Sequence, residues 1–201
     1  MRMSLVHALG AVALSASVAL AADQLVSTKN FLVKDKPGDP SKRKIAFKVK
    51  EKGTTATLVG DPTAGGATLH VVLSPGGDQC FSLPASGWTP IKDIGFKYKD
   101  PQLASGAVKT AQIKVTPSGV LQVKAIVQGK GVETIEVVPG NPTNTYAVSL
   151  ALAGGDTYCA GTGTATPKTN TEKTFKVVND TAPLTCTAGP CGGSPSGAFV
   201  E

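Results

Sequence analysis

The chain has 201 residues, a formal net charge of +6, and only 5% aromatic side chains. Its basic residues are almost all lysine, with Arg2 and Arg43 the two arginines. That scarcity of the bidentate guanidinium argues against a reader of nucleic acid. The 23 glycines and 14 prolines, with frequent Thr and Val, favour turns and strands over helices.

Residues 1–21 read as a secretory signal peptide. Arg2 supplies a positive start, Leu5 to Leu20 is almost unbroken apolar, and Ala19-Leu20-Ala21 is a small-x-small cleavage site, placing the cut before Ala22. No cysteine follows the cut to take a lipid, and no later stretch is apolar enough to span a bilayer. The expected destination is secreted, periplasmic or at the cell surface, with no membrane span.

Residues 25–34 (LVSTKNFLVK) predict a first strand, stopped by the turn Asp35 to Ser41. Ile45, Phe47 and Val49 then alternate with Lys44, Lys48, Lys50 and Lys52, the period-two pattern of a strand with one buried face. Residues 56–59 suggest a short strand. Next comes ATLHVVLSPGGDQC (67–80), matched later by NTYAVSLALAGGDTYC (144–159). In both copies an apolar run ends in Gly-Gly-Asp and a cysteine follows, which reads as a hairpin returning through Cys80 or Cys159. Between them, Pro84 to Pro90 is a connecting segment carrying Trp88, the sole tryptophan. Strands are expected over 94–99, 108–115, 119–127 and 134–138. Residues 161–174 are polar and read as an exposed loop before a last strand, 175–178.

The sum is an all-β chain, a two-sheet antiparallel β-sandwich of jelly-roll or immunoglobulin-like general architecture. Residues 22–186 form a single domain, and 187–201 a flexible Gly/Pro/Ser tail. The doubled Gly-Gly-Asp hairpin, with the Phe-led segments FLVKD, FKYKD and FKVVND, permits two duplicated halves.

No catalytic constellation stands out. After the signal, His70 is the sole histidine, no serine sits in a strained nucleophile turn, and no cofactor or metal is expected. His70 reads as a partly exposed strand residue. Asp78 and Asp156 close the Gly-Gly turns, where Asp bonds its own backbone. Calcium would require those two to meet. Four cysteines in an exported chain imply two disulfides. Cys186 and Cys191 permit a small local ring, leaving Cys80 to join Cys159; the competing pairing is Cys159–Cys186. Lys42, Arg43, Lys44, Lys48, Lys50 and Lys52 form a candidate anion patch, which Lys97, Lys99, Lys109 and Lys114 extend. The competing reading is an edge or solvent-facing strand kept soluble by its lysines. LPASG (83–87) departs from a sortase signal by its Ser and its internal position, and Asn179-Asp180-Thr181 is a glycosylation sequon only in a eukaryotic secretory route.

Leu83-Pro84-Ala85-Ser86-Gly87-Trp88, followed by Gly95-Phe96-Lys97-Tyr98-Lys99-Asp100, resembles a functionally uncharacterised group of exported, multi-copy bacterial β-rich proteins. Lys34-Asp35, Asp39 to Lys44 and Tyr158-Cys159-Ala160 fit the same group, so the likeness covers most of the chain after the signal. The resemblance implies a bacterial, exported β-domain and transfers no site. It also implies Cys159–Cys186, because the late Tyr-Cys of the group goes with a cysteine near the end.

The leading expectation is a non-enzymatic structural or surface-binding module. Its partners would be an anionic or neutral polysaccharide or another cell-envelope component, and Tyr146 to Leu152, read as an apolar edge, would allow self-association. The alternative is a carbohydrate-binding or carbohydrate-active module using Trp88 as a stacking platform with the turn aspartates.

Overall fold

The computed structural model describes residues 21–191; residues 1–20, all but the last of the stretch read as a signal peptide, and residues 192–201 of the stretch read as a tail lie outside them. Strands β1 (Asp23–Leu25), β2 (Thr28–Lys34), β3 (Lys44–Lys52), β4 (Ala67–Ser74) and β5 (Gly77–Leu83) come first. They are followed by β6 (Trp88–Pro90), β7 (Gly95–Lys99), β8 (Val108–Val115) and β9 (Val120–Gln128). The last are β10 (Thr145–Leu152), β11 (Thr157–Gly161), β12 (Thr169–Thr171) and β13 (Thr174–Asp180). They build a five-stranded sheet, β1-β11-β10-β4-β5, and an eight-stranded sheet, β12-β13-β2-β3-β9-β8-β7-β6. All pairs are antiparallel except β1 with β11.

The alternation in the sequence explains the layers. Phe31, Val33, Ile45, Phe47, Val49, Leu121, Val123 and Ile113 turn inward from the large sheet. Leu69, Val71, Phe81, Val148 and Leu150 meet them from the small one. Burying each such side chain contributes about 1.5–3 kcal/mol. Phe31 stacks on Tyr146 at 4.8 Å and meets Phe175 edge-on at 6.2 Å, so the Phe-led segments of β2 and β13 share one aromatic cluster.

Several expected elements change form. The strand read over 25–34 is two, because Val26 and Ser27 carry the chain from the small sheet to the large one. The Val26 amide bonds Cys159, and the Ser27 amide bonds the Glu51 carboxylate. Residues 56–59 and 134–138 are not strands. The Val59 amide donates to the Asp156 carboxylate, and the Gln79 side chain bonds the Thr134 carbonyl and the Glu136 amide, so each segment is held by side chains rather than by a ladder. The loop read over 161–174 contains the short strand β12, paired with β13.

Tyr146 to Leu152 is not an edge. It is β10, held between β11 and β4 and buried from Tyr146 onward, so the apolar run exists because both its faces and both its neighbours are protein. The actual borders offer little ladder to a second copy. β6 and β12 are three residues long, and β5 is flanked by residues 134–138 through Gln79 and by the Val138 amide bonded to Gly76.

The disulfides are Cys80–Cys191 and Cys159–Cys186. The local Cys186–Cys191 ring does not form, nor does Cys80–Cys159, since the chain after Asp180 crosses the small sheet and delivers each late cysteine to a different strand. Residues 187–191 therefore belong to the folded body rather than to a free tail: Ala188 is buried, and Cys191 is tied to β5.

Asp100 closes the turn after β7. It is 8% exposed, and its carboxylate accepts the amides of Ala104 at 3.1 Å and Ser105 at 2.7 Å. Burial alone would raise its pKa; the N–H bonds outweigh burial and hold it below the usual carboxylate value. A lowered folded pKa stabilises the fold above the unfolded value of about 3.9 and is lost as pH falls through the folded one. Asp100→Asn is therefore expected to be less stable than wild type at neutral pH, with the gap closing below about pH 4 in denaturant titrations at stepped pH. A gap that stays constant down to pH 2 would sink this account.

Candidate polyanion-binding face

The outer surface of the eight-stranded sheet is built by the same alternation that fills the core. In β3 the odd positions point inward, so Lys44, Lys48, Lys50 and Lys52 point out. The register then sets their neighbours. Lys48 pairs directly with Lys124 of β9, which pairs with Gln112 of β8, which pairs with Lys97 of β7. On the other side Lys48 pairs with Asn30, and two outward positions along, past Ala46 opposite Leu32, Lys44 pairs with Lys34. Lys50 leads through Gln122 to Lys114.

Directly opposed ammonium groups on strands about 4.8 Å apart repel each other. Lys34/Lys44 and Lys48/Lys124 both carry that cost. Among the described residues, no Asp or Glu takes an outward position on these strands: Glu51 lies on the inward register opposite Leu121, and Asp180 is buried. The charge is therefore uncompensated by the sheet itself.

Beside the Lys48–Lys124 row the surface sinks into a groove of about 390 Å³. Ala46, Thr110 and Ile126 form a row across its floor, and Lys48, Lys97, Lys99 and Lys124 stand around it with the amides of Asn30 and Gln112. The result is a cationic rim around a largely apolar strip.

β3 lies inside the sheet, between β2 and β9, so its lysines do not guard an edge. Two members of the sequence-derived patch leave it. Lys42 pairs with Asp39 at 2.7 Å, and Arg43 bonds Asp35 at 2.8 Å and the Ile135 carbonyl at 2.7 Å, fastening residues 134–138 to the turn before β3. Both belong to that turn rather than to the pleat. Lys97, Lys99 and Lys114 do continue the face, whereas Lys109 sits at a bulge. Lys124, Asn30 and Gln112 were missed. The alternation of 119–127 marks Lys124 as outward, but only strand register puts it opposite Lys48.

Trp88 is not a stacking platform. It is 4% exposed, lies in β6 rather than in a connector, packs on Tyr98 at 5.5 Å, and donates its indole N–H to Leu83. LPASGW is a structural plug: the Gly87 amide bonds the Pro84 carbonyl, and Gly87 lies so close to the Tyr98 ring that no side chain fits there. This removes the stacking residue from the carbohydrate reading.

The two turn aspartates lie at opposite ends of the small sheet, since β10 runs antiparallel to β4 with Thr145 opposite Ser74 and Leu152 opposite Ala67. They cannot share an ion. Asp78 is exposed and contacts His70 Nε2 at 2.6 Å, while His70 Nδ1 lies 2.9 Å from the Gly189 carbonyl. His70 sits close to Cys80 and Cys191, and Asp23 close to Cys159 and Cys186, but in each group the two sulfurs are bonded to each other and offer no thiolate.

Compared with protein-family models, curated proteins and solved structures, the chain matches none. Among the described residues, no helix is long and apolar enough to cross a membrane.

Proposed function

We propose that this protein is an exported, non-enzymatic binding domain whose lysine face takes an anionic polysaccharide. The observation that carries the reading is the unneutralised Lys48–Lys124 pair standing over an apolar strip. A sugar chain bearing carboxylate or sulfate groups meets all parts of that surface. Its charges neutralise the opposed lysines, its C–H faces lie on Ala46 and Ile126, and its hydroxyls bond Asn30 and Gln112. The two disulfides fit an oxidising, non-cytoplasmic setting, and the small-x-small site before Ala22 supports export.

The test is retention on an immobilised polyuronate. Wild type is expected to bind at about 20 mM salt and to release near 0.5 M, where screening reaches only a few ångströms. Lys48→Gln with Lys124→Gln is expected to weaken binding at least tenfold. Its melting temperature should hold or rise, because the repulsion is relieved. Wild-type strength in the double variant would remove this face from the reading, and salt-resistant retention on a neutral glucan would replace it with a different site.

A further inference from the structure

Asp156 is fully buried, and every contact to its carboxylate is a donor. Oδ2 accepts the Thr57 hydroxyl at 2.7 Å and the Val59 amide at 2.8 Å, and Oδ1 accepts the Ala22 nitrogen at 3.1 Å. Among the described residues, no Lys or Arg forms an ion pair with it. A buried carboxylate without a cation is costly. The nitrogen facing Oδ1 belongs to the residue that the Ala19-Leu20-Ala21 signal makes the first of the processed chain.

We propose that leader cleavage between Ala21 and Ala22 creates the missing cation, and that the new α-ammonium of Ala22 forms an ion pair with Asp156 that locks the processed fold. The step is a hydrolysis by a leader-processing endopeptidase. The Ala21–Ala22 C–N bond breaks, water supplies the hydroxyl that makes Ala21 a carboxylate, and the freed nitrogen takes up protons to become –NH₃⁺. Ala21 and Ala22 are both exposed, so the bond is accessible. Nothing must then move. The Ala22 carbonyl already accepts the Thr157 amide, and β1 runs parallel to β11 from Asp23, so the nitrogen is held at the carboxylate before and after the cut. An amide there offers one N–H and no charge; the ammonium offers three donors and a full positive charge.

The inference rests on the leader reading and is independent of the lysine face. The full chain would be expressed with its leader in an exporting bacterial host and the product's start read by intact mass. A first residue of Ala22 is expected, and any other would overturn the proposal. The exported protein is then compared with one carrying a single additional alanine after the cut and with one whose α-amine is acetylated. Both modifications are expected to lower the melting temperature by on the order of 5 °C. In Asp156→Asn the same modifications should change it by less than about 1 °C. A second readout needs no stability difference. The α-amine of wild type should react with an acylating ester at least tenfold more slowly than that of Asp156→Asn, read on the N-terminal peptide by mass spectrometry. Equal rates, or melting unaffected by acetylation in wild type, would show that the amine does not pair with Asp156.

Discussion

Replacing Cys80 and Cys191 with serine is expected to cost more stability than replacing Cys159 and Cys186. The first bridge spans 111 residues and the second 27. In the chain-entropy model these loops correspond to about 4.8 and about 3.6 kcal/mol of constraint on the unfolded chain. The first bridge also anchors the segment that buries Ala188 and brings the Gly189 carbonyl to His70, so its loss releases folded-state contacts too. Guanidinium unfolding of the two double variants orders them directly. Because Cys80 is exposed and Cys159 is buried, mild thiol should open Cys80–Cys191 first, as alkylation mapping would show. If the 27-residue bridge proved the more stabilising, the loop argument would be wrong for this fold.

Asp180→Ala is expected to destabilise by about 3–5 kcal/mol, a large cost for a single side chain. The side chain is 2% exposed and gathers four donors. Oδ2 accepts the Tyr146 hydroxyl and the Gly163 amide, both at 3.0 Å, and Oδ1 accepts the amides of Ala165 at 2.8 Å and Thr181 at 3.0 Å. One carboxylate thus ties β13 to β10 and holds the start of the 162–168 loop. Burial, with the carboxylate beside it, pushes the Tyr146 hydroxyl well above its usual pKa. Tyr146→Phe alone should cost about 1–2 kcal/mol, and combined with Asp180→Ala it should add less than that, since the partner is already gone. Full additivity by thermal or denaturant unfolding would mean that the two side chains do not act as a pair.

Local pattern carried much of the fold into view, and non-local pairing hid the rest. The alternation of 44–52 fixes both the inward row of β3 and its outward lysines, and the paired Gly-Gly-Asp segments do fold as β4–β5 and β10–β11. What these segments do not encode is their surroundings. Asp78 and Asp156 each follow a Gly-Gly pair in the sequence, yet one is exposed and the other buried. The difference comes from residues 57–60, which lie a hundred positions from the second turn and press so closely on Gly155 that no side chain fits there. In the same way β10 reads as apolar and edge-like until β4 and β11 are placed beside it. Trp88 reads as a surface aromatic until Tyr98 and Leu83 enclose it. The candidate site was half legible: Lys44, Lys48, Lys50 and Lys52 come from periodicity, while Lys124 and the groove floor need the register of β3 with β9. Lys42 and Arg43 look like members of a basic run and are instead spent on Asp39 and Asp35.

Both ends of the described chain settle on the small sheet, the first through β1 on β11 and the last through Cys191 on β5. The lysine face belongs to the other sheet and looks the opposite way. Grafting the domain to a bead, a sensor chip or a fusion partner through residues beyond Cys191 would therefore present the groove outward and unobstructed. An attachment ahead of Ala22 would present the same face but would occupy the nitrogen at Asp156, so the carboxyl-terminal end is the better handle.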